Sequence, residues 1–99
     1  FDRDVSMLIE RAADLLRDDD ALLDELADTI DPTDAVAIAA APLPLARRSL
    51  RQWLTIDGYP PNAAAIERVL AVARGEAVAC DIAGNRRVQR SHQRLWLFH

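Results

Sequence analysis

Apolar residues recur three and four positions apart along the first part of the chain, at Val5, Leu8, Ile9, Ala12, Leu15, Leu16, Leu22, Leu23, Leu26 and Ile30. This spacing predicts an amphipathic helix capped by Asp2 or Asp4 and closed by Pro32, which disfavours helix in the residue before it. Asp19 falls where the heptad spacing from Val5 and Ala12 asks for leucine, so the helix either bends or divides near Asp18-Asp19-Asp20, or extends beyond the body of the domain. The run Ala35 to Ala41 is too short and too small-sided for its period to separate strand from helix, and it reads as a buried connector. Pro44 suits the first turn of a second helix reaching about Asp57, with Ala46, Leu50, Trp53 and Leu54 inward and Gly58 ending it in the left-handed conformation. Asn62 caps a third helix with Ile66, Val69, Leu70 and Ala73 inward, and Gly75 stops it.

From Ala77 the period drops to two. Val78, Cys80 and Ile82 alternate with smaller or polar neighbours, Gly84-Asn85 marks a tight turn, and Arg86 to Arg90 reads as the returning strand. A second turn near Ser91-His92-Gln93 leads into Arg94-Leu95-Trp96-Leu97-Phe98, where alternation puts Arg94, Trp96 and Phe98 on one face and Leu95 and Leu97 on the other. One of those faces must be exposed or covered by a partner. The expected fold class is α+β: a helical body of one long N-terminal helix and two shorter ones, with a small C-terminal antiparallel β-meander. A chain of 99 residues implies a single domain over 1–99, divided into an acidic helical arm at 1–31 and a core at 35–99 that ends in the hairpin.

Charge sharpens this division. Residues 1–34 hold twelve carboxylates against three arginines, a balance of −9, whereas residues 35–99 hold nine arginines against four carboxylates, a balance of +5. Two regions of opposite sign suggest one surface that avoids polyanions and one that meets them. All twelve basic residues are arginine. A GC-rich genome accounts for such a bias, although the planar guanidinium fork also suits phosphate. No apolar stretch approaches the roughly 18 residues of a membrane span. The single cysteine, Cys80, excludes an internal disulfide and a cysteine-based zinc site, which points to the cytoplasm. Opening at Phe1 rather than methionine suggests a piece of a longer protein.

Catalytic signatures are missing. His92 sits in a turn and His99 at the terminus, the three glycines are not clustered into a phosphate loop, and the carboxylates of the first helix read as a solvated face. No catalytic residue, metal site or cofactor is expected in this fragment. The candidate binding residues are Arg47, Arg48 and Arg51 on one helical stripe, and Arg86, Arg87, Arg90, His92 and Arg94 on the hairpin. They are expected to converge on one electropositive surface. The competing reading is a solvated helix face plus edge-strand charges that prevent aggregation.

The residues that carry a resemblance are Leu22-Leu23-Asp24-Glu25-Leu26, the helix Pro44-Leu45-Ala46-Arg47-Arg48-Ser49-Leu50-Arg51-Gln52-Trp53-Leu54, the Ile66-Glu67-Arg68-Val69-Leu70 helix after the Pro-Pro turn, and the closing Arg94-Leu95-Trp96-Leu97. In this order they resemble the region that follows the catalytic domain in tRNA(Ile)-lysidine synthase, in the short form of high-GC Gram-positive bacteria. The resemblance implies a parent enzyme whose N-terminal ATP-pyrophosphatase domain, marked by Ser-Gly-Gly-x-Asp-Ser, adenylates the wobble cytidine of the CAU anticodon before lysine displaces AMP. That motif is missing here, so ATP and lysine are expected as substrates of the parent enzyme only. The implied partners are tRNA(Ile) with its CAU anticodon and the protein's own N-terminal catalytic domain, with room for a homodimer and no membrane. Pattern alone leaves two alternatives. One is a winged-helix DNA-binding domain with residues 63–74 in the major groove. The other is a protein-interaction or dimerisation module that uses the apolar stripe of residues 5–30.

Overall fold

The computed structural model describes residues 20–99. The predicted long helix therefore lies largely outside the described residues, as do its cap at Asp2 or Asp4 and its continuity through Asp18-Asp19-Asp20. Its described end is α1 (Asp20–Asp28), which stops four residues before Pro32. Three more helices follow, α2 (Ala35–Ala40), α3 (Leu43–Leu54) and α4 (Ala63–Ala73), and then strands β1 (Ala79–Ile82), β2 (Arg86–Ser91) and β3 (Arg94–Phe98). The class is α+β, as the change of period predicts.

The Ala35 run is a helix rather than a connector. Asp34 decides this, because its carboxylate accepts from the amides of Val36 and Ala37, both at 3.1 Å, and satisfies donors that a helix start leaves free. α3 begins with Pro44 in its first turn but ends at Leu54, not near Asp57. Asp57 and Gly58, with φ of 51° and 80°, instead form the tip of a tight turn closed by reciprocal backbone bonds between Ile56 and Tyr59 at 3.2 and 2.8 Å. An Asp-Gly pair has the positive φ at both central positions that such a turn requires, so the local turn outcompetes another helical residue or two.

α4 is the hub. Its Asn62 cap accepts from Ala65 N at 2.8 Å, and its buried face of Ala65, Ile66, Val69, Leu70, Val72 and Ala73 contacts α2, α3 and all three strands. The main core gathers around it from Ile38, Leu50, Leu54, Val88 and Leu95. A smaller cluster of Leu23, Ala27 and Leu45 holds α1 against α3.

The sheet has the order β1-β2-β3, antiparallel throughout. Its inner face carries Ile82, Val88 and Leu95 into the core. Among the described residues no helix lies over its outer face, and the thinnest extent of 17 Å is enough for one helical layer and one sheet. The β2–β3 connection is a two-residue turn in which His92 and Gln93 both have positive φ, 53° and 64°. The carbonyl of Gln93 accepts from Ala35 N at 3.0 Å, and Leu95 N donates to Thr33 O at 2.7 Å, so this corner is stitched to the start of α2.

Candidate nucleic-acid interface

The described arginines do not converge on one patch. On α3 the predicted stripe divides. Arg48 turns toward α1 and donates from Nη1 to Asp24 at 2.9 Å, with Gln52 beside it on the same carboxylate. Arg47 turns toward α4, where Nε donates to Glu67 at 2.8 Å, and Arg51 borders the same shallow depression, with no carboxylate among the described residues within 4 Å.

The hairpin arginines divide by strand alternation. Arg86 lies on the inner face and is only 7% exposed. Its guanidinium donates from Nη1 to Leu54 O at 2.8 Å and from Nε to Ala83 O at 3.1 Å, fastening β2 to the last carbonyl of α3. Arg86 is therefore not among the outward-facing arginines, because its side chain is buried and donates from Nε and Nη1 inside the protein. Arg90 has the same parity as Arg86 and Val88 and is half-buried. Its Nη1 lies 2.5 Å from where a Cβ on Gly75 would stand, at the C-terminus of α4. Gly75 has φ of 80°, so it is the turn that calls for glycine there, while the guanidinium is the movable end of a flexible side chain.

Arg87 and Arg94 face outward and away from α4, and hence away from the helical layer that holds Arg47 and Arg51. Each meets an exposed carboxylate. Arg87 Nη1 donates to Asp81 at 3.1 Å, and Arg94 Nη2 donates to Asp31 at 3.1 Å and also to the Thr33 hydroxyl. The Thr33 hydroxyl and amide, donating at 2.6 and 2.9 Å, hold the Asp31 carboxyl below its ordinary range, with Arg94 adding to the effect. His92 is exposed at the turn next to Arg94.

Between these two arginines the outer face presents aromatics. Trp96 and Phe98 are each 50% exposed and stand two residues apart on β3. In register, Trp96 opposes Gln89 and Phe98 opposes Arg87, while Arg94 opposes Ser91. The Trp96 indole N–H makes a long bond of 3.4 Å to Ser91 O. Alternation in the sequence requires one face of β3 to be open, and the structure leaves open the face with the tryptophan. The missing signal was cross-strand register, which alone places Arg87 and Gln89 beside these rings. Trp53, by contrast, is half-buried against the core.

Cys80 lies inward, opposite Val88, partly buried against the core, and burial pushes its thiol pKa up. α4 is not free to enter a DNA groove. It is enclosed by α2, α3 and the sheet, and on its remaining strip Glu67 holds Arg47 while Arg68 bonds Asp81 O at 3.3 Å. Among the described residues no helix is long and apolar enough to cross a membrane.

A small two-layer α+β domain with an open sheet face of aromatic, amide and guanidinium side chains is a binding module in form. The chain belongs to the TilS substrate binding domain family, the substrate-binding region of tRNA(Ile)-lysidine synthases, whose model matches residues 34–96. The match begins at the Asp34 cap of α2 and ends at Trp96, so it takes in the central helix and nearly all of the sheet. No curated protein and no solved structure matches the chain.

Proposed function

We propose that this domain binds tRNA and orients it for a lysidine synthase. In this reading the tRNA is tRNA(Ile) with a CAU anticodon, and ATP-dependent joining of lysine to the wobble cytidine takes place in an N-terminal catalytic domain of the same cytoplasmic protein. Family membership over residues 34–96 is the observation that carries the proposal. Charge agrees with it: from Ala79 to Phe98 four arginines stand against one carboxylate, Asp81, so the sheet is the basic end of an otherwise acidic chain. Arg87 and Arg94 on the outer side and His92 in the exposed turn are the residues assigned to tRNA. Arg47 and Arg48 serve the contact between helices, and with Arg51 they bear on tRNA only from a separate surface. Neither ATP nor lysine is assigned a site in this domain.

The test is fluorescence anisotropy of labelled CAU-anticodon tRNA(Ile) with the 99-residue chain between about 50 and about 200 mM salt. Binding should weaken with rising salt, with a log–log slope of about −2 if the two outer-face guanidiniums neutralise phosphates. Affinity that ignores salt, or no binding at the lowest salt, removes the proposal. A DNA-binding reading gains nothing from the geometry of α4. Of the apolar stripe of residues 5–30, offered above as a dimerisation surface, the described part packs within the chain at Leu23 and Ala27 against Leu45, and the rest lies outside the described residues.

A further inference from the structure

We infer that the outer face of the sheet takes unpaired nucleotides, stacking their bases on Trp96 and Phe98, rather than the backbone of a paired stem. The inference rests on the tRNA-binding reading and specifies which part of such a ligand this face accepts.

Two half-exposed aromatic rings on a face over which no described helix lies are an apolar surface that water covers at a cost. A duplex offers such a surface little, because its bases are stacked on one another and it presents mainly sugars and charged phosphates. An unpaired base has a free π-face and gains from an aromatic platform whatever its identity. Spacing supports this. Two residues of strand separate Trp96 and Phe98 by about 7 Å along β3, roughly twice the 3.4 Å per base of one strand in a helix, so the rings match bases that have come out of a helical stack.

The polar surroundings fit the same occupant. Gln89, opposite Trp96, supplies an amide that can donate to and accept from a base edge. Arg87 and Arg94 flank the ring pair at opposite corners; Arg87 is held by Asp81, and Arg94 by Asp31 and the Thr33 hydroxyl, and both carboxylates are more than half exposed. Such exposed ion pairs are weak, so a phosphate can replace either carboxylate without leaving a buried charge unpaired. A second protein as occupant fits less well: a protein-binding core is depleted in charged residues, whereas here Arg87 stands directly opposite Phe98 and Arg94 two residues from Trp96 on the same strand face.

The experiment compares a labelled single-stranded oligouridylate with an RNA duplex carrying the same number of phosphates, each titrated at low salt into the 99-residue chain. Trp96→Ala, Phe98→Ala and Trp96→Phe are titrated alongside it, after circular dichroism has established that each is folded. The single strand should bind at least about tenfold tighter than the duplex, each alanine variant should weaken it by about tenfold, and Trp96→Phe should retain most of the affinity. Equal or tighter binding of the duplex, or alanine variants that bind the single strand as the parent does, overturns the inference. tRNA is the second ligand in every titration. If tRNA binds and is indifferent to both alanine variants, the stacking platform fails while the tRNA reading stands. If the single strand binds through Trp96 and tRNA does not bind, the tRNA reading fails and the platform stands. A dimer by light scattering that dissociates on Trp96→Ala, with no RNA bound, makes the face a contact between copies and overturns both.

Discussion

Replacing Arg86 with methionine should destabilise the domain strongly while the same change at Arg87 does almost nothing. Their neighbouring positions put the two side chains on opposite faces of β2. Arg86 is 7% exposed, and its guanidinium bonds Leu54 O at 2.8 Å and Ala83 O at 3.1 Å. Hydrogen bonds to a charged group contribute about 1.5–3 kcal/mol each when buried, and a cation at a helix C-terminus adds about 0.3–1 kcal/mol. Against this stands the desolvation of the guanidinium, recovered when the charge is removed, which offsets a large part of the gain. Methionine restores most of the stem's packing, so the loss reports on the charged fork and on the helix-end carbonyl left without its donor. The expected cost is about 2–3 kcal/mol, or a Tm lower by roughly 10–20 °C for a domain of this size. Urea unfolding followed by tryptophan fluorescence, with linear extrapolation, measures the cost directly. Arg87, whose only bond is to the exposed Asp81, should move by less than about 0.5 kcal/mol. If Arg86→Met unfolds within about 0.5 kcal/mol of the parent, the guanidinium is not what joins β2 to the end of α3.

Three other outcomes follow from the same geometry. Asn62→Ala should cost about 1 kcal/mol by removing the bond from Ala65 N, and because α4 is the hub the loss should appear in global unfolding and not as local fraying. The Asp31 carboxyl, held low first by Thr33 and then by Arg94, contributes stability that is fully present above the ordinary aspartate pKa of about 4 and fades as pH falls through its lower folded value. Asp31→Asn should therefore flatten the acid limb of a stability–pH curve by less than about 1 kcal/mol, since the pair is half exposed; an unchanged acid limb would refute this. Changing His92-Gln93 to Asn-Gly should raise stability by about 0.5–1 kcal/mol, because both residues hold positive φ in a two-residue hairpin turn, and a fall in Tm would contradict that assignment.

Much of the chain announces itself locally. Asn62 and Gly75 bracket α4 because a cap needs only a side chain in reach of the next amides, and a stop needs only a residue that tolerates positive φ. The drop in period after Ala77 identifies the meander, and Leu95 and Leu97 alternate so regularly with Trp96 and Phe98 that one open face was implied before any neighbour was known. The Ala35–Ala40 helix was not legible, because six residues, four of them alanine, fit either period; the Asp34 cap settles the matter.

The arginines mark the boundary between the two kinds of information. Sequence determined that they cluster on one helix and one hairpin, and that the second half of the chain is basic. It did not determine which of them remain available to a ligand. Arg47, Arg48 and Arg94 find carboxylates 20, 24 and 63 residues away, and Arg86 finds a carbonyl 32 residues away. A guanidinium binds whichever oxygens lie within a few ångströms in space, and distances of that kind arise only when helices and strands pack. Helical and strand periods are local properties of the backbone, so they were fixed by residue order, whereas the fate of each charge waited for the tertiary fold.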